Sequence, residues 1–242
     1  MADQPRQLTL DLPVATQLDA EDFLVGPANT DAFTMVESWP AWPDKLLCLT
    51  GPEGSGKTHL AAIWAARSGA VTIAARDVHA DNIETLSAAD ALVLEDADPG
   101  PVDEHALFHL LNAMRGKGAW LLITARRAPD AWGLVVPDLL SRLRLAPMVT
   151  IAPPDDALLR AVLVKLFHDR QLIVDAPLVE VLCKHMERSL ANALRLVEAL
   201  DREALSLNKR ITRALALSIL SRLEGTDDAD AVEKTTSAPD ET

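Results

Sequence analysis

The sequence predicts an α/β fold, a parallel sheet built around a phosphate-binding loop and followed by a small all-α domain. Three observations point there. The stretch Gly51-Pro52-Glu53-Gly54-Ser55-Gly56-Lys57-Thr58 matches G-x-x-x-x-G-K-[ST] at every fixed position. Short apolar runs alternate with helical stretches through the first two thirds of the chain. After Pro153-Pro154 only helical periodicity remains.

Taken in order, residues 1 to 17 form a flexible arm with an apolar alternation, Leu8-Thr9-Leu10-Asp11-Leu12, too short to be a domain. The α/β domain is expected over 18 to 152. Lys45 to Thr50 encloses the run Leu46-Leu47-Cys48-Leu49 and ends at the glycine-rich loop, as a buried parallel strand feeding a tight turn should. Thr58 to Arg67 reads as the helix that follows. Further buried strands are expected at Val71 to Ala74, Ala91 to Leu94, Trp120 to Thr124 and Met148 to Ile151, separated by helices such as His105 to Met114 and Pro137 to Leu143. The helical domain spans 153 to 223, with helix starts marked by Asp155 or Asp156, by Asp175 with Pro177, by Ser189 and by Thr212. Residues 224 to 242 hold seven acidic residues and one lysine, the composition of a solvated, disordered tail.

Composition narrows the function. The 242 residues are 49% hydrophobic and 24% charged, which suits a globular protein. A net charge of −13 argues against a general nucleic-acid binder, and the chain is expected to make no direct sequence-specific contact with DNA. No apolar run approaches the roughly 18 residues of a membrane span, and Met1 to Arg6 resembles no leader, so a cytoplasmic protein with no membrane partner is expected. Cys48 and Cys183 lie in separate apolar segments without metal-type spacing and read as small buried hydrophobes. The five tryptophans read as core rather than as a platform for stacking bases, and His105 with His109 as a pair on one helix face.

The loop carries the chemistry. Its glycines let backbone N–H groups approach phosphate oxygens, the next helix presents its positive end, Lys57 reaches the β- and γ-phosphates, and the Thr58 hydroxyl ligates magnesium. The expected ligand is ADP or ATP with Mg2+. A carboxylate at a neighbouring strand end is needed for the magnesium shell, and a second to polarise water. Leu92-Val93-Leu94-Glu95-Asp96 supplies both, Glu95 for the metal and Asp96 for the water. Glu95 stands where Asp is usual, and its extra methylene argues against efficient intrinsic hydrolysis. Thr124 ends another strand with a hydroxyl suited to sensing a γ-phosphate. Ser141-Arg142-Leu143-Arg144 follows at the domain's far edge, where an arginine can serve a neighbour's nucleotide; a solvated surface arginine explains the same spacing.

With these pieces placed, the sequence resembles the AAA+ regions of the bacterial replication initiators of the DnaA family, and more closely their short homologues, the Hda-type regulatory inactivators. The matching segments are Asp22 to Asn29, Gly51 to Leu60, Leu92 to Asp96, Leu122 to Thr124 and Pro137 to Leu143, together spanning 22 to about 222. The resemblance implies an AAA+ P-loop core with a helical lid, with Phe23, Leu24 and Val25 on the adenine side and Pro52, Glu53, Gly54, Ser55, Gly56, Lys57, Thr58 and His59 around the phosphates. It also implies a negative regulator of replication initiation, with Arg142 as an arginine finger acting on ATP held by DnaA. Gln7-Leu8-Thr9-Leu10-Asp11-Leu12 looks like the peptide that binds the polymerase sliding clamp, with Gln7, Leu8, Leu10 and Leu12 as contacts; an edge strand explains the pattern equally well. Neither the C-terminal DNA-binding domain of DnaA nor its N-terminal domain is expected. In the lid, Ala191 occupies the place of the family's nucleotide-sensing arginine, so the chain is expected to hold nucleotide better than it hydrolyses it. A recruitment adaptor that uses nucleotide only as a structural ligand is the alternative, and a homo-dimer or larger oligomer is compatible with either.

Overall fold

The computed structural model describes residues 20–98, 102–207 and 210–223, which fall into two compact units divided between Asp155 and Asp156. The first unit holds a five-stranded, wholly parallel sheet. Its strands are β1 (Leu46–Thr50), β2 (Val71–Ala74), β3 (Ala91–Glu95), β4 (Trp120–Ala125) and β5 (Met148–Thr150), in the spatial order β2-β3-β4-β1-β5. The helices of this unit are α1 (Thr30–Glu37), α2 (Lys57–Ser68), α3 (Ile83–Ser87), α4 (Glu104–Lys117) and α5 (Pro137–Leu145).

Each central strand is apolar on both sides because both faces are covered. Leu47 and Leu49 of β1, Val93 of β3 and Leu122 of β4 join one cluster with Ala32 and Val36 of α1 and Leu60, Ile63 and Trp64 of α2. The alternate residues Cys48, Leu92, Leu94, Leu121 and Ile123 join the other, under Leu107, Leu110 and Met114 of α4 and Leu139 and Leu143 of α5. Trp39, Trp42, Trp64 and Trp120 form one edge-to-face and stacked cluster against the first of these layers. β2 lies at the sheet edge and is the least covered strand, with Val71 48% exposed.

The second unit is helical: α6 (Asp156–Asp169), α7 (Ala176–His185), α8 (Leu190–Leu207) and α9 (213–223). Helix starts lie where capping residues were expected. Asp175 accepts the Leu178 N–H at 3.0 Å, the Ser189 hydroxyl that of Asn192 at 3.3 Å, and the Thr212 hydroxyl that of Leu215 at 3.3 Å. Ala193, Leu196, Val197 and Leu200 of α8 repeat at helical spacing and pack on Leu159, Leu163 and Phe167 of α6 and Leu182 of α7. Two helices were not anticipated. α1 and α3 run for only eight and five residues, too short for a clear periodic signal, and α3 buries Leu86 alone.

Candidate nucleotide-binding site

β1 delivers the chain into the loop at Gly51. A Cβ there would lie 2.6 Å from the Ile151 carbonyl oxygen and 2.9 Å from the Ser55 hydroxyl, and φ is +154°, so only glycine fits. Gly54 and Gly56 also take positive φ, and Gly56 immediately precedes α2. The Gly51 N–H donates to the Ala125 carbonyl at 3.2 Å, which ties the loop to the end of β4. Pro52 and Glu53 are exposed, whereas Ser55 is buried with its hydroxyl unpaired. Lys57 is buried and folds its Nζ back onto the carbonyls of Gly51 and Pro52, at 2.8 Å each. Burial lowers its pKa; Asp96 acts in the opposite direction, and Arg126 adds to the lowering.

The strand ends beside the loop carry the polar groups. β3 terminates in Glu95, which accepts a hydrogen bond from the Thr58 hydroxyl while its Oε1 is buried without a partner. Burial raises the Glu95 pKa above its ordinary value; the Thr58 hydrogen bond opposes the rise, Asp96 adds to it and Lys57 opposes it. Asp96 sits at φ +54°, and its backbone N–H donates to the Thr124 hydroxyl at 3.1 Å. Thr124 is thus buried as a brace for the turn after β3, a task beyond its expected one of meeting a phosphate. Thr58 is exposed at the start of α2.

On the other flank, Phe23 is 8% exposed, stacks on Phe33 at 5.6 Å and meets His59 edge-to-face at 5.2 Å. The segment after it is fixed by Asn29, whose Oδ1 accepts the Gly26 N–H at 2.8 Å and whose Nδ2 donates to the Leu24 carbonyl at 3.0 Å. Leu24 is half-buried and Val25 largely exposed. The structure therefore brings Phe23 and His59 into contact, and groups Lys57 and Thr58 with Glu95, Asp96 and Thr124 at the C-terminal ends of the strands. Crevices at such strand ends are where open α/β sheets bind ligands.

Arg142 lies elsewhere. With Lys45, Leu46, Arg115 and Leu121 it lines a cleft at the N-terminal ends of β1 and β4, its guanidinium 5.2 Å from the Phe108 ring centroid of α4. About 13 Å of strand separates that end from the phosphate loop. Arg142 makes no ion pair among the described residues, whereas Arg144 is held by Asp130 through two hydrogen bonds from its guanidinium. The loop before α5 is braced by the Glu104 carboxylate, which accepts the N–H of Val136 at 2.7 Å and that of Val135 at 2.9 Å. In the helical unit, Ala191 lies in the first turn of α8, with Arg188 paired to Asp156 at 2.8 Å and Arg195 to Asn192. Gln7, Leu8, Leu10 and Leu12 lie outside the described residues, as does the acidic stretch from Glu224.

Two residues absent from the sequence-based set belong to this site. Asp98 has a side chain 1% exposed and accepts the backbone N–H of Arg126 at 2.7 Å and of Arg127 at 3.0 Å. Arg126 pairs with Glu53 of the loop at 2.7 Å. Their nearest signal in the sequence is an acidic run after β3 and a basic pair after Thr124, and no spacing rule joins them. Among the described residues no cluster of three or more His, Cys, Asp or Glu forms a metal centre, and no helix is long and apolar enough to cross a membrane.

No family model matches the chain. It is 29% identical over 160 residues to the chromosomal replication initiator protein DnaA 2 of Chlamydia caviae, a match covering 54% of this chain and 35% of that protein. The chain thus spans about a third of the length of this relative. Domain III of DnaA from Thermotoga maritima superposes with a TM-score of 0.74 at 18% identity, covering 87% of this chain and 98% of that one. AMPPCP-bound DnaA from Aquifex aeolicus does so with a TM-score of 0.61 at 19% identity, over 76% of this chain and 66% of that one. The chain carries the fold of DnaA domain III and is similar in sequence to DnaA replication initiators.

Proposed function

We propose that the chain holds ADP or ATP with magnesium at the Gly51–Thr58 loop and acts as a negative regulator of replication initiation, promoting hydrolysis of ATP bound to DnaA. The nucleotide reading rests on the polar groups gathered at the loop. The Lys57 ammonium is turned inward onto two carbonyls, the Ser55 hydroxyl is buried and unpaired, and the Glu95 Oε1 has no partner. Phosphate oxygens would satisfy the first two, and the Thr58 hydroxyl with the Glu95 carboxylate offers magnesium the hard oxygen donors it takes alongside phosphates and water. Magnesium bound there supplies neutralisation of phosphate charge. The relative from Aquifex aeolicus holds AMPPCP, a nucleotide of the same class. Phe23, with His59 and Phe33 against it, offers the apolar flank for the base.

The observation that carries the regulatory reading is the position of Arg142. It lies at the opposite end of the strands from its own phosphate loop and is free of ion pairs among the described residues, so the phosphate it can serve belongs to another molecule. Its planar guanidinium would stabilise the charge that develops as water attacks the γ-phosphate of DnaA-bound ATP, leaving DnaA with ADP and releasing phosphate. Arg144 is the weaker candidate because Asp130 already holds it. Clamp binding rests on the sequence pattern Gln7 to Leu12 and would concentrate the regulator at replicating DNA.

The test is turnover of DnaA-bound ATP in the presence of DNA-loaded clamp. Addition of the chain should accelerate hydrolysis, and Arg142→Ala should remove that acceleration, on the order of a thousandfold for an arginine finger. Removal of residues 1–12 should abolish the dependence on clamp. Full stimulation by Arg142→Ala would show that the finger is another residue. Absence of stimulation by the unaltered chain, with nucleotide still bound, would favour the recruitment adaptor.

A further inference from the structure

β4 ends at Ala125, whose carbonyl accepts the Gly51 N–H, so Arg126 begins beside the phosphate loop. Its backbone is fixed from beneath by the buried Asp98 carboxylate, which takes the N–H groups of both Arg126 and Arg127. The side chain reaches Glu53, the third residue of the loop, with Nη2 to Oε2 at 2.7 Å. Both partners are substantially exposed, at 47% and 66%, and an ion pair of that kind contributes little and is readily exchanged. Arg126 also stands close enough to Lys57 to lower its pKa, which places two cations at one loop. Asp96, Asp98 and Glu53 oppose that lowering, so the two cations already face carboxylates with which a phosphate would compete.

We propose that Arg126 is a second phosphate-binding cation of this site, supplied by the same chain, which leaves Glu53 to bind the terminal phosphate of a nucleoside triphosphate. The inference rests on the nucleotide reading of the Gly51–Thr58 loop and specifies which nucleotide the loop distinguishes. Lys57 and the loop amides enclose the phosphate at the centre of the loop. Arg126 approaches from the neighbouring strand end, outside that ring and on the side of Thr124 and Asp96, and so meets the phosphate farthest from the nucleoside. A diphosphate leaves Arg126 with Glu53. A triphosphate competes Glu53 away because its terminal phosphate carries more negative charge and more acceptor oxygens for the planar guanidinium than one carboxylate at the loop rim.

Equilibrium binding of ADP and of ATP to the full chain with magnesium, measured for the unaltered protein and for Arg126→Ala, Arg126→Lys and Glu53→Gln, tests this. Arg126→Ala should weaken ATP about tenfold and ADP less than about twofold, a difference that corresponds to about 1.4 kcal/mol. Arg126→Lys should restore part of the ATP affinity, and Glu53→Gln, by removing the competitor, should tighten ATP without tightening ADP. Equal losses for both nucleotides, or none, would overturn the proposal. Should Arg126→Ala fail to fold, as judged by its thermal midpoint without nucleotide, an unchanged ATP-to-ADP ratio in Glu53→Gln overturns it instead. An unaltered chain that binds neither nucleotide overturns the reading of the loop itself. One that binds both with no effect of Arg126 overturns only this inference.

Discussion

Glu95 sits where function and stability pull apart. Burial raises its pKa, and Asp96 adds to that, against the Thr58 hydrogen bond and Lys57. A carboxyl whose pKa is raised on folding contributes stability below its unfolded value, near 4.3, and that contribution is lost as pH rises through the folded value. Above its folded value the ionised Glu95 therefore weakens the nucleotide-free protein. Glu95→Gln, which keeps an acceptor for Thr58, is expected to raise the thermal midpoint at pH 7 without nucleotide, and the gain should vanish below about pH 4. Melting curves across that range check it; a midpoint lowered at pH 7 would mean that the carboxylate is already satisfied. Lys57, Thr58 and Glu95 were marked as candidates by the sequence because each belongs to a local pattern. Arg126 and Asp98 were not, since their pairing joins positions 28 residues apart through the adjacency of β3 and β4.

At the scale of elements, the strands could be read because a strand buried on both faces leaves a continuous apolar run, as in Leu92-Val93-Leu94. The helices of the second unit could be read from their capping residues. Helices α1 and α3 could not, because eight and five residues carry too little periodicity. The loops at the strand ends follow a different logic, since side chains from distant elements hold them. Asp98 is the clearest case. Asp98→Ala would leave two backbone N–H groups without their carboxylate acceptor and is expected to destabilise the chain by about 2 to 3 kcal/mol. Urea denaturation measures this, and a loss below about 0.5 kcal/mol would show that water or another acceptor replaces it. Glu104 braces the segment leading into α5 in the same way, which links the placement of Arg142 to the first turn of α4.

At the scale of the molecule, the parallel sheet gives the α/β unit two unlike ends. The phosphate loop, Glu95, Asp96 and Thr124 occupy the C-terminal ends of the strands, and Arg142 the N-terminal ends of β1 and β4. Under the proposed function, a unit polarised in this way presents its arginine end to the phosphate end of another molecule, a heterologous contact in which each partner contributes a different surface. The sequence signalled both ends separately, through the loop motif and the Ser141-Arg142-Leu143-Arg144 stretch, but the distance between them is a property of the folded sheet. The central claim, that this chain's loop holds nucleotide while hydrolysis occurs in a neighbour's, is tested most directly by exchanging the label. DnaA carrying γ-labelled ATP is mixed with this chain carrying unlabelled nucleotide and loaded clamp, and the loading is then reversed. Rapid release of labelled phosphate in the first arrangement and slow release in the second is the expected result; rapid release only in the second would contradict it.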